Sequence, residues 1–124
     1  MTDAPKKIRT LFCISVQQNF FDLPWSEIGA VWQAFSKVMA GIAHMDGAEV
    51  LGMLDDDETM VGAAGVGFPY TAYIMADMKD RDSVVAACNL FRATPVGETD
   101  YRLWRYIRVE ARMGRALEVP QLAG

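Results

Sequence analysis

Between Tyr101 and Arg115 the chain reads YRLWRYIRVEARMGR, which sets Arg102, Arg105, Arg108, Arg112 and Arg115 among Tyr101, Trp104 and Tyr106. Cations gathered in one segment suit an anion or carboxylate site. The ordinary alternative is cross-strand and intersubunit ion pairs together with solvated arginines. Imidazole chemistry at neutral pH has one source, His44, the only histidine. That residue falls off the apolar stripe at a helix end, where a cation also interacts favourably with the helix dipole, so a structural role fits it too. Tyr73 and Tyr106 are further candidate proton donors, although a tyrosine on a strand ordinarily serves packing. Asp77 suits proton abstraction only if desolvated, and its expected place near a strand end favours exposure.

Other chemistries are poorly served. Ser15 and Cys13 have no histidine near them in sequence and no G-x-S-x-G turn occurs, so nucleophilic catalysis has little support. One histidine, with Cys13 and Cys88 on separate elements, does not make a metal site within a single chain. Asp55-Asp56-Asp57-Glu58 lacks the alternating oxygen donors and turn glycine of a calcium loop and reads as a solvated hairpin tip. The glycine-rich run from Gly62 to Pro69 has no Lys-Ser/Thr and no helix pattern after it, which points to a flexible loop rather than a phosphate cradle.

The elements that must position these residues follow from periodicity. Ile8 to Gln17 alternates, with Ile8, Phe12, Ile14 and Val16 towards a core and Arg9, Leu11, Cys13, Ser15 and Gln17 opposite. Pro24 suits a first helical turn, and a helix over Trp25 to Ala43 has the apolar stripe Ile28, Val31, Trp32, Phe35, Val38, Met39 and Ile42, with Gly47 past its end. Ala48 to Leu54 is a second strand, with Thr59 to Val61 as a short return, and Tyr70 to Met78 is the third. Asp80 or Asp82 caps a helix from about Ser83 to Phe91, lined inwardly by Val84, Ala87, Cys88 and Phe91. The last strand, Tyr101 to Arg115, turns Leu103, Ile107, Val109 and Ala111 to the core and Trp104, Tyr106, Arg108, Glu110 and Arg112 away from it.

The order β-α-β-β-α-β implies a ferredoxin-like α+β fold with two helices on one face of a four-stranded antiparallel sheet. Its opposite face would carry Leu11, Cys13, Ser15, Tyr73, Met75, Trp104, Tyr106 and Arg108, and a second copy of the chain is the economical way to bury it. The 124 residues make a single domain, with a core from 8 to 116 and a tail from 117 to 124 that can lie across a neighbouring subunit. A net charge of −4 argues against nucleic acid as the default partner. No apolar run approaches the ~20 residues of a membrane helix. Met1 to Lys7 is too short and polar for a signal peptide, and the two cysteines look like reduced thiols, which implies a cytoplasmic protein.

By element order and strand character from Ile8 to about Ala116, the chain resembles the dimeric α/β-barrel superfamily, which includes muconolactone isomerases and small cofactor-independent monooxygenases. The run Asn89 to Gly97 sits where that superfamily often contributes ligand contacts. The segments RTLFCISVQQNFFD and CNLFRATPVGE are also similar to small proteins accompanying bacterial indole-3-acetate breakdown. The resemblance implies a homodimer whose barrel cavity takes a small aromatic or cyclic organic acid without a cofactor or metal. Tyr73, Met75, Trp104 and Tyr106 are then the expected stacking surfaces, Cys13, Ser15 and Arg108 the polar handles, and Arg92 or Arg108 the cation for an anionic substrate or enolate. His44, Tyr73 and Tyr106 are the candidate catalytic groups for isomerisation or oxygenation. The rival reading is a non-catalytic accessory or ligand-binding protein, or a dry dimer interface built from the same residues.

Overall fold

The computed structural model describes residues 7–56 and 70–118. Four strands, β1 (Ile8–Val16), β2 (Glu49–Asp55), β3 (Ala72–Met78) and β4 (Ile107–Gly114), form one open antiparallel sheet in the order β2-β3-β1-β4. The helices are α1 (Gln18–Phe21), α2 (Trp25–Ala43) and α3 (Arg81–Ala93). This α+β architecture is compatible with the ferredoxin-like arrangement. The added element, α1, is a single turn and too short to leave a periodic signal in sequence.

Strand parity places the core on one side of the sheet. Phe12 and Ile14 of β1, Ile74 and Ala76 of β3, and Ile107 and Val109 of β4 meet Val31, Val38 and Ile42 of α2 and Val84, Ala87 and Phe91 of α3. Each fully buried aliphatic or aromatic side chain here contributes about 1.5 to 3 kcal/mol. Thr10 is also fully buried on β1, and its hydroxyl is satisfied by donating to the Ile8 carbonyl at 3.1 Å. Helix α3 starts where the Asp80 carboxylate accepts the Ser83 N–H at 2.8 Å, as a capping residue should. Helix α2 follows Pro24, which occupies the N-cap rather than the expected first turn, and it ends at His44. The chain then reverses through Gly47 at φ 77°, where a Cβ would run into the Lys79 side chain.

Two sequence expectations are corrected. The last strand begins at Ile107, because Leu103–Arg105 forms a 3-10 turn and only Arg102 of the preceding residues bridges, to Pro95. Strand alternation therefore stops at Ile107: Leu103, Tyr106 and Ile107 are all buried together, and Trp104 is half-buried beside α3. Trp32, expected on the buried stripe of α2, is 46% exposed, because the edge strand β2 leaves that side of the helix open. The expected return strand from Thr59 to Val61, the loop from Gly62 to Pro69, and the tail beyond Glu118 lie outside the described residues.

Candidate functional site

The structure distributes the expected site residues over four places. Arg92, Trp104 and Arg108 come together. Cys13, Ser15, Tyr73 and Met75 share the sheet face turned away from the helices, as β1 and β3 parity requires. Tyr106, expected on that face, is buried in the core at 5% exposure, because the chain is turning rather than extended as it passes that residue. His44 is exposed at the C-terminal end of α2, where its backbone N–H bonds the Ala40 carbonyl at 3.0 Å.

The first group lines an open hollow of about 510 Å³ between the end of α3, the 3-10 turn and α1. Arg92 from the last turn of α3 lies 4.3 Å from the centre of the Trp104 ring, and Arg108 from the start of β4 lies 5.7 Å from it. Each guanidinium is also anchored by one hydrogen bond. Arg92 donates to Asn89 Oδ1 at 3.1 Å, and Arg108 Nε donates to the Trp104 carbonyl at 3.1 Å. Most of their donors are left to face an oxyanion, in forks held by ring and hydrogen bond. Arg105 lies over Tyr101 at 4.0 Å in the same hollow, and Arg102 adds a fourth guanidinium against one carboxylate, Asp100. Among the described residues none of these arginines makes a salt bridge. Asn19 of α1 pins the turn by donating from Nδ2 to the Arg105 carbonyl at 2.9 Å.

The second group lies on the helix-free face. Along β1 and its neighbours, Leu11 pairs with Met75, Cys13 with Tyr73 and Ser15 with Arg108. Met75 is 39% exposed, while Cys13 is almost fully covered by its neighbours. Burial pushes the Cys13 thiol above its usual range, with Arg112 pulling the other way, so it stays a thiol rather than a nucleophilic thiolate. Tyr73 is likewise pushed up by burial and then by Asp56 and Cys13. Charged networks fringe this face. The Tyr70 hydroxyl and Arg112, at 3.0 Å, both donate to Glu110 Oε2, and the Arg9 guanidinium bonds both oxygens of Asp77 at 2.5 and 3.2 Å. That contact holds the Asp77 carboxyl below the usual carboxylate range, so Asp77 is an ion-pair partner rather than a base.

A further place, outside these four, was missed in sequence. Trp32, Phe35 and Met39 of α2 face Met53 of β2 and Ile74 of β3 across an apolar recess of about 280 Å³. Its signal was the exposed Trp32 itself, which periodicity assigned to the core. Helix α1 separates the recess from the arginine hollow: Asn19 lines the hollow, and Phe20 packs edge-on against Trp32 at 5.6 Å. Among the described residues no cluster of three His, Cys, Asp or Glu side chains is placed to hold a metal, and no helix is long and apolar enough to cross a membrane. Neither a protein-family model nor a curated protein matches this chain.

Proposed function

We propose that this protein binds a small aromatic or cyclic organic acid, and that it acts in the cytoplasm as a homodimer of ferredoxin-like subunits packed face to face as an α/β barrel. The observation that carries the binding reading is the pair of guanidiniums, Arg92 and Arg108, held at the single Trp104 ring with most of their donors unused. A carboxylate on a ring satisfies such a site: the forks take the oxyanion and the surrounding aromatic surface takes the ring. The dimer reading rests on the helix-free face, where Leu11, Tyr73 and Met75 form an apolar strip that only another layer can cover.

The resemblance to muconolactone isomerases and cofactor-independent monooxygenases adds a catalytic reading, in which Tyr73 on the helix-free face is the candidate proton donor for a ring held against that face. The alternative, a non-catalytic accessory protein such as one accompanying indole-3-acetate degradation, needs only the hollow. Calorimetric titration with benzoate and with benzyl alcohol tests the binding reading. Benzoate should bind and the alcohol should not, and Arg108→Ala should weaken benzoate by about 1.5 kcal/mol, roughly tenfold, as expected for a charged hydrogen bond at a partly open site. Equal binding of acid and alcohol, or an unchanged affinity in the variant, removes the hollow from the site. A single monomeric species in sedimentation at micromolar concentration would rule out the dimer.

A further inference from the structure

The hollow holds a second parked cation that recognition of one carboxylate does not use. Arg105 lies 4.0 Å over the Tyr101 ring and 5.9 Å from Tyr106, on a different aromatic platform from the Trp104 pair. Its backbone is fixed from two sides, by the N–H bond to the Arg102 carbonyl at 3.0 Å and by Asn19 donating to its own carbonyl at 2.9 Å. Asp100 is the one carboxylate in the hollow and makes no salt bridge with Arg105 among the described residues. Two preorganised cationic stations thus line one space of about 510 Å³, ample for a single-ring ligand.

From this geometry we infer a second anion subsite at Arg105 and Tyr101, so that the ligand is a dicarboxylic aromatic or cyclic acid whose two carboxylates are carried on separate positions of the ring. The inference rests on the reading of the hollow as an acid site. A monoacid fills the station at Trp104 and leaves Arg105 to solvent. A dicarboxylate engages both, and its rigid ring keeps the ordering entropy of the second contact low. Phosphate on a ring is a different case, since both its charges sit on one centre and serve one station.

The test compares benzoate, the three benzene dicarboxylates and phenyl phosphate by calorimetry at low salt, in the wild-type chain and in Arg105→Gln. At least one dicarboxylate should bind about tenfold or more tightly than benzoate, as a second charge-assisted contact allows. It should also bind more tightly than phenyl phosphate, and the ratio to benzoate should fall below about threefold in Arg105→Gln, in keeping with the loss of that one contact. Arg81→Gln, a charge removal at the far end of α3, should leave the ratio intact, and thermal melts establish that both variants fold. Equal affinity of benzoate and every dicarboxylate overturns the second subsite while the acid site stands. Phenyl phosphate as the tightest ligand overturns two separate stations in favour of one. No binding by any of the acids overturns the acid site and the inference with it.

Discussion

Truncating Tyr106 to alanine separates two accounts of the C-terminal segment. Strand alternation from Tyr101 puts this ring on the helix-free face, where its removal would disturb a dimer and leave the subunit core alone. The structure instead buries it at 5% exposure among the core residues, with an edge-on contact to Tyr101 at 6.5 Å. A tyrosine ring covers about 150 to 200 Å², which at roughly 25 cal/mol per Å² is worth about 4 to 5 kcal/mol. Compaction of the unfolded chain trims this by about 10 to 40%. The expected loss for Tyr106→Ala is therefore about 3 to 4 kcal/mol, within the range of large-to-small aromatic truncations in cores. Urea denaturation followed by circular dichroism at two protein concentrations a hundredfold apart measures it, because a core loss lowers the midpoint by the same amount at both. A loss below about 1 kcal/mol, or one that appears only at the lower concentration, would restore Tyr106 to the open face.

Four further outcomes rest on the same packing and register. Met75→Glu places a charge in the middle of the exposed strip on the helix-free face; sedimentation should show monomers with an unchanged circular dichroism spectrum, and a persisting dimer would move the interface elsewhere. Asp77 has a depressed folded-state pKa, chiefly through its hydrogen bonds from Arg9, so its contribution is complete above the unfolded value of about 3.9 and is lost as pH falls through the folded value. The stability difference between wild type and Asp77→Asn should thus shrink on acidification below about pH 4, and a pH-independent difference would show that the ion pair stores nothing. Gly47→Ala forces a side chain into positive φ and against Lys79, for an expected loss of about 1 to 2 kcal/mol in urea midpoints. Gly29→Ala, in α2 with open space at its Cβ, should instead gain about 0.5 to 1 kcal/mol.

The regular elements were legible because their patterns are long. Alternation over Ile8 to Val16 and the stripe Val31, Phe35, Val38 and Ile42 determine strand and helix within a residue or two of where they lie. An aspartate cap at Asp80 or Asp82 and the turn at Gly47 were legible from single residues, and the structure gives the cap to Asp80. Burial was less so, because it depends on what stands opposite. Trp32 has the right spacing for the core, yet β2 is an edge strand whose residues are mostly exposed, so nothing completes its cover. Cys13 shows the converse: its parity points it away from the helices, and neighbouring side chains on the sheet still close over it.

The turn before the last strand was read as strand, although the chain itself carries the signal against it. Leu103, Tyr106 and Ile107 stand at i, i+3 and i+4, and Arg102, Arg105 and Arg108 recur every third residue. Both spacings belong to a helical turn, not to a strand of period two. Reading them as a strand put Trp104 and Tyr106 on the sheet face and made that face the aromatic half of a cavity. As a 3-10 turn, the same residues leave the sheet. Tyr106 enters the core, and Trp104 swings beside α3 within reach of Arg92. The departure that thins the aromatic content of the helix-free face therefore also builds the arginine hollow. On the proposed reading, an acid at Trp104 and a dimer contact at Met75 use different side chains, although Arg108, the register partner of Ser15, borders both the hollow and the helix-free face. Met75→Glu should abolish dimerisation while benzoate affinity stays within about twofold, as expected for residues without shared contacts. Loss of both together would return Trp104 to the barrel interior.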